Sequence, residues 1–346
     1  MLDDANVLKQ RDPSGALQVA ATQYAQATFT VDVINPEHDN REINSVVVAG
    51  MGGSALAAML VKSWLKATLS VPFEVVRSYD LPAYVGKNTL VIASSHSGNT
   101  EETVSGLEDA KKRGAQLAII TSGGKLQQAA DANAIAHVLI PADLQPRMAV
   151  IYNLRALMLL LTHFGITART RFDEIAAASE WLHSETRQWE AGVSVDKNYA
   201  KQLALLAVGK TPVVYGGTLM FPAAYKWKIS WNENAKNVAF CNEIPEFNHN
   251  EFIGWSSHPV DKPFVVFDLV SNLENPRILK RFEISDRLLS GMRPKAHTVE
   301  LAGDTAIKQL LWASILADFV SIYVAILNGV DPTPVALVEK LKTELA

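Results

Sequence analysis

Short apolar runs, each closing in a glycine- or serine-rich turn and leading into a helical stretch, constrain this chain more than any other feature. Ser45–Ala49, Phe73–Arg77, Thr89–Ser94, Gln116–Thr121 and Ala136–Ile140 are such runs. Helical patterns over Ala55–Lys66, from the SSHSGNTEE turn to about Arg113, and opened by TSGGKL separate them. A strand that is apolar along its whole length is buried on both faces. Strands of that kind alternating with helices predict a parallel sheet covered on both sides. A helix over Ser14–Phe29 precedes this region, and helices over Met148–Phe164 and Phe172–Trp189 close it.

The second half restarts the pattern. TPVVYGGTLMFPAAYKW mirrors SVVVAGMGGSALAAMLVKSW, with Gly216 in the place of Gly50. Strands are predicted over Pro263–Leu269 and His297–Leu301. Helices are predicted over Arg277–Ser290, Thr305–Leu327 and from Pro334 to the end, with Thr333 as N-cap and Pro334 at the first helical position. The 346 residues therefore divide into two similar α/β domains, 1–190 and 191–346, with the boundary in the polar stretch Ala191–Tyr199. Each is expected to be a mostly parallel sheet flanked by helices, a flavodoxin-like three-layer sandwich.

The bulk properties exclude several functions. A net charge of −4 gives no general affinity for nucleic acid or an anionic membrane. An anionic ligand must then be held by local dipoles and a few placed cations. The lone Cys241 rules out an intrachain disulfide and suits a reducing, cytoplasmic setting. The polar start MLDDANVLKQ lacks the apolar core of a signal peptide. Leu310–Val330 is long and apolar, but Asp318 interrupts it, so it reads as a buried core helix.

Two loops invite phosphate. Gly50-Met51-Gly52-Gly53-Ser54-Ala55 joins a strand to a helix, so backbone N–H groups and the positive helix end face whatever occupies the turn. It fits G-x-G-x-x-A, and Glu74 stands near the end of the next strand, where a ribose-binding acid would be. The loop alone permits a dinucleotide, a small phosphate or nothing. Ser94-Ser95-His96-Ser97-Gly98-Asn99-Thr100 adds a second strand-to-helix turn rich in hydroxyls. The two turns meet if their strands are neighbours, and together they suit one small phosphate.

GMGGSA followed by SSHSGNTEE resembles the sugar isomerase (SIS) domain, in which two such loops hold a sugar phosphate. The repeat fits a tandem SIS chain. The resemblance assigns phosphate binding to Gly52, Gly53, Ser54, Ser95, Ser97 and Thr100. His96, where relatives often have an aromatic, reads as a loop residue facing away. Three further segments, ADLQPRMAVI, KISWNENAK and NEIPEFNHNEFIG, together with the ending DPTPVALVEKLK, resemble the bifunctional phosphoglucose/phosphomannose isomerases along nearly the whole chain.

That resemblance implies interconversion of glucose 6-phosphate and fructose 6-phosphate, with mannose 6-phosphate as a further substrate. Moving a proton between C2 and C1 needs one carboxylate, and Glu233 is the candidate base. The enediolate needs a fixed cation, for which Arg147 is the candidate. Ring opening needs a group titrating near neutrality, for which His249 is the candidate, reaching into the partner's site of a homodimer. Lys342 is its expected companion on the last helix, chosen over Lys340. Relatives carry a threonine one or two turns before this lysine. Val335 stands seven residues before Lys342, and Thr333 pairs better with Lys340. No metal or cofactor is expected, since His249 and Glu251 have no third ligand at suggestive spacing and enediol chemistry requires none. Three other readings stay open: a sugar-phosphate sensor without catalysis, an NAD(P)-dependent oxidoreductase using the first loop, and an aminosugar synthase. The first lacks an appended DNA-binding helix pair, and the last lacks an N-terminal cysteine.

Overall fold

A computed structural model describes residues 1–257 and 262–345. The chain forms two compact units, Gln23–Trp181 and a second made of Met1–Thr22 with Leu182 onward.

In the Gln23–Trp181 unit the five apolar runs are strands: β1 Ser45–Gly50, β2 Phe73–Val76, β3 Thr89–Ser95, β4 Gln116–Thr121 and β5 Ala136–Leu139. All pairs are parallel and the order is β2-β1-β3-β4-β5, the flavodoxin-like order expected. Side chains alternate across the sheet. Val47, Ala49, Val91, Ala93 and Ile119 face the helices Glu101–Lys112 and Gly124–Ala132. On the other face the helices Gly52–Trp64 and Val150–His163 pack together, and Ser94 Oγ meets Asn153.

The second unit repeats the plan with β6 Thr211–Gly217, β7 Phe240–Ile244, β8 Phe264–Val270 and β9 His297–Glu300, parallel and ordered β7-β6-β8-β9. No strand is predicted from the sequence where β7 lies. It is an edge strand, only Ile244 is buried, and its polar residues carry no apolar signal. The helix Tyr199–Ala207 starts inside the expected linker, capped by Asn198, whose side chain accepts from Lys201 N at 3.0 Å. The expected Ser14–Phe29 helix is an α-helix only over Ala16–Thr22 and continues as a 3-10 helix over Gln23–Thr28.

The first 22 residues pack with this second unit, whereas the sequence boundary assigns them to the first. Lys201 holds Asp3 at 2.9 Å, and Arg11 Nη1 donates to Ile326 O at 2.6 Å. The final helix runs over Ala336–Leu345, and the last residue lies outside the described ones.

Ala306–Asn328 is the one described helix long and apolar enough to cross a membrane, and 94% of its most apolar window is buried in the protein. It is the core helix that the Asp318 interruption predicts. Asp318 and Lys226 are both 0% exposed and paired at 2.6 Å. Ser230 Oγ donates to the same carboxylate at 2.8 Å. Removing one charge strands the other in an apolar core, so Asp318→Ala should cost about 3–5 kcal/mol in urea unfolding. The double change Lys226→Met, Asp318→Leu should recover at least half of that.

Asp268 on β8 is buried, and its Oδ1 has no partner among the described residues. Burial pushes its carboxyl up to about 7, against the pull of Arg293. A carboxyl with a raised folded pKa favours the fold while protonated, so this contribution is lost as pH rises from about 4 towards about 7. Asp268→Asn should flatten the urea midpoint across that window and be the more stable form at pH 8, by roughly 3 kcal/mol.

Candidate active site

β1 and β3 are neighbours, with Gly50 opposite Ser94, so their loops leave the sheet side by side at the point where strand order reverses. Gly50 must be glycine because a Cβ would stand 2.7 Å from Ser94 O. The loops touch: His96 N donates to Ser54 Oγ at 3.2 Å. Both lead into helices whose N-caps, Met51 and Thr100, make no side-chain capping bond. Thr100 Oγ1 instead pairs with Ser95 Oγ at 2.7 Å, and Ser95 Oγ also accepts from Gly98 N. Ser97 is exposed, and its Oγ accepts from Asn99 N at 3.3 Å. Gly52, at φ +50, has open space where a Cβ would stand.

A third loop supports these two, and the sequence reading sees it only as a helix start. Gly98 at φ +69 lies so close to Gly123 O that a Cβ would be 1.8 Å away. Lys125 N and Leu126 N, in the first turn of the Gly124–Ala132 helix, donate to Asn99 Oδ1 and Gly98 O. That helix start is filled by the protein itself. His96 is buried rather than displayed. Its carbonyl accepts from Ser122 N and Oγ, its Nε2 has no partner among the described residues, and burial lowers its pKa. Glu74 is engaged by Tyr84 OH, away from any ribose role. Burial, with Glu74, raises the Tyr84 phenol to about 12.

Arg147 reaches the first loop through its backbone. A Cβ on Gly53 would stand 2.6 Å from Pro146 O and 3.2 Å from Arg147 N, so Gly53 is what lets this segment approach. The Arg147 side chain is buried, and its Nη1 lies 3.5 Å from Gln145 Oε1.

In the other unit, Glu233 is half-buried at the end of the helix Phe221–Glu233. Trp227 and Trp231 hold that helix on the sheet against Phe267. His249 is exposed at the end of the 3-10 turn Glu246–His249. Its neighbours are tied down. Asn248 bonds Ser285 and Arg281 at 2.8 and 3.2 Å, and Glu251 accepts from Asn242 at 2.8 Å and from the buried Tyr215 hydroxyl. Glu251 is thereby an anchor. Lys342 is exposed and paired with Glu339 at 2.8 Å on a helix with no buried residue; Lys340 is exposed near Glu344.

The second glycine turn differs from the first. Glu274 Oε1 accepts from Leu219 N at 2.8 Å and Met220 N at 3.1 Å, and a Cβ on Gly217 would meet it at 2.2 Å. A protein carboxylate already fills this turn. Burial raises its pKa, opposed by those N–H bonds.

Two family models match the chain: a SIS domain over residues 41–165 and the bacterial phospho-glucose isomerase C-terminal SIS domain over residues 196–345. A bifunctional phosphoglucose/phosphomannose isomerase of Caldicellulosiruptor bescii is 36% identical over 308 residues, covering 88% of this chain and 90% of the relative. One of the same name from Aquifex aeolicus is 33% identical, covering 87% and 90%. A solved glucose-6-phosphate isomerase like protein from Thermus thermophilus shares the fold at a TM-score of 0.66 and 18% identity, covering 98% of each chain. This chain is therefore a sugar-phosphate isomerase with two SIS domains, and it belongs to the bifunctional phosphoglucose/phosphomannose isomerase family.

Proposed function

We propose that the enzyme interconverts glucose 6-phosphate and fructose 6-phosphate, and also accepts mannose 6-phosphate, through an enediol. The observation that carries the substrate class is the convergence of two hydroxyl-rich loops, joined at Ser54 and His96, before two helix starts that no side chain caps. Free N–H groups and a positive helix end suit a phosphate monoester. Gly52, Gly53, Ser54, Ser95, Ser97 and Thr100 hold it. On binding, the hydroxyls of Ser95 and Thr100 exchange their mutual bond for phosphate oxygens.

Glu233 takes the proton from C2 and returns it to C1. Arg147 stabilises the enediolate oxygen; a guanidinium keeps its proton throughout. His249 opens the ring by moving a proton between the ring oxygen and the C1 hydroxyl, with Lys342 beside it. Its exposure, on a turn anchored at Asn248 and Glu251, suits an imidazole delivered to the partner of a cytoplasmic homodimer.

A coupled assay for fructose 6-phosphate formed from each aldose should show turnover with both. Glu233→Gln keeps the shape and loses the base, so kcat should fall at least about 1000-fold with KM little changed. Full turnover in that variant would remove Glu233 from the mechanism.

Subunit sharing has a separate test. Glu233→Gln and His249→Ala proteins are each expected to be inactive. Unfolded together and refolded as a mixture, they should regain about a quarter of wild-type activity, since half the dimers are mixed and each carries one intact site. No regain would place His249 in its own subunit's site.

A further inference from the structure

Lys236 is a lysine in a backbone conformation that favours glycine, with φ +53. Three of its companions at positive φ are Asn35, Asn40 and Ala134, and asparagine tolerates this region through its short polar side chain. Lysine has no such local compensation, and an observed outlier of this kind points to a task for the side chain.

The ammonium has three protons and meets three carbonyls: Glu233 O at 2.6 Å, Pro332 O at 3.0 Å and Asn234 O at 3.4 Å. Two of these belong to the last turn of the Phe221–Glu233 helix, where carbonyls lack helical partners and a cation is favoured. The third belongs to the turn before Thr333, whose N–H donates to Asp331 at 2.9 Å. The same helix end is held from inside, where Asn234 Nδ2 donates to Ser321 Oγ at 2.9 Å and approaches Asp318 at 3.5 Å. Both attachments act on Glu233 or on Asn234 next to it.

We propose that Lys236 is a positioning residue. Its ammonium fixes the main chain of Glu233 and Asn234 against Pro332, and so sets where the Glu233 carboxylate stands. This rests on the reading of Glu233 as the base. A misplacement of about 1 Å at a reacting group costs on the order of 100-fold in rate.

Lys236→Gly separates positioning from stability, because it removes the side chain with its three carbonyl contacts while glycine adopts φ +53 without strain. Its kcat should fall by about 10- to 100-fold, with KM within about twofold and a thermal midpoint no lower than wild type. Lys236→Arg retains donors at the same place and should restore most of kcat. A kcat for Lys236→Gly within twofold of wild type, a fall in its midpoint that accounts for the lost activity, or equal loss in Lys236→Arg would overturn the proposal. Glu233→Gln is assayed alongside. If it turns over fully, the base assignment has failed; if it is inactive while Lys236→Gly is normal, only the positioning role has.

Discussion

The contact between Gly50 and Ser94 is the constraint on which the first unit depends. Parallel pairing of β1 with β3 brings two strand ends together, and the absence of a Cβ at Gly50 lets them close to backbone distance. Everything beyond follows from that approach. Two loops leave the sheet side by side, two helices start with uncapped N–H groups, and Ser54 and His96 can bond across the gap. Gly53 adds a second close approach, which seats Pro146 and Arg147 against the first helix.

The two units carry the same strand–glycine–helix turn to opposite ends. In the second unit the Glu274 carboxylate takes the N–H groups of Leu219 and Met220, where an external anion would otherwise be drawn. Burial works against its charge, and those N–H bonds work in its favour. A turn that satisfies itself has no dipole left to offer. The helix that this plugged turn begins ends at Glu233.

Strands β1, β3 and β4 were legible because each has an apolar, buried centre, which a doubly covered sheet demands; β2 and β5, which carry Glu74 and His137, were legible from their place in the strand–helix alternation. The glycine turn and SSHSGNT were legible for the same kind of reason, since their residue types answer a local need. β7 was not, because an edge strand carrying Asn242 and Glu243 looks like a loop until its neighbour β6 is known. Glu274 was illegible as a plug, since it stands far along the chain from the turn that it fills. The partnership of Gly98 with Gly123 is likewise a matter of where β3 and β4 end. Lys236 gave one faint local sign, its place three residues past a helix end, but its backbone angle and the Pro332 carbonyl belong to the folded chain.

Asp318 shows what the buried charges contribute. An ion pair at full burial is weak evidence for stability, since apolar side chains of similar volume would serve as well. What apolar side chains cannot supply is direction. Lys226, Ser230 and Asn234 recur every four residues, so they form one stripe along the Phe221–Glu233 helix and just past its end. All three address Asp318, and Asn234 adds Ser321 one turn along. A greasy face tolerates a small rotation or slide of the helix. A stripe of donors aimed at one carboxylate does not, because any rotation strands a buried polar group. The residue that such a rotation would displace most directly is Glu233, adjacent to the last of the three anchors.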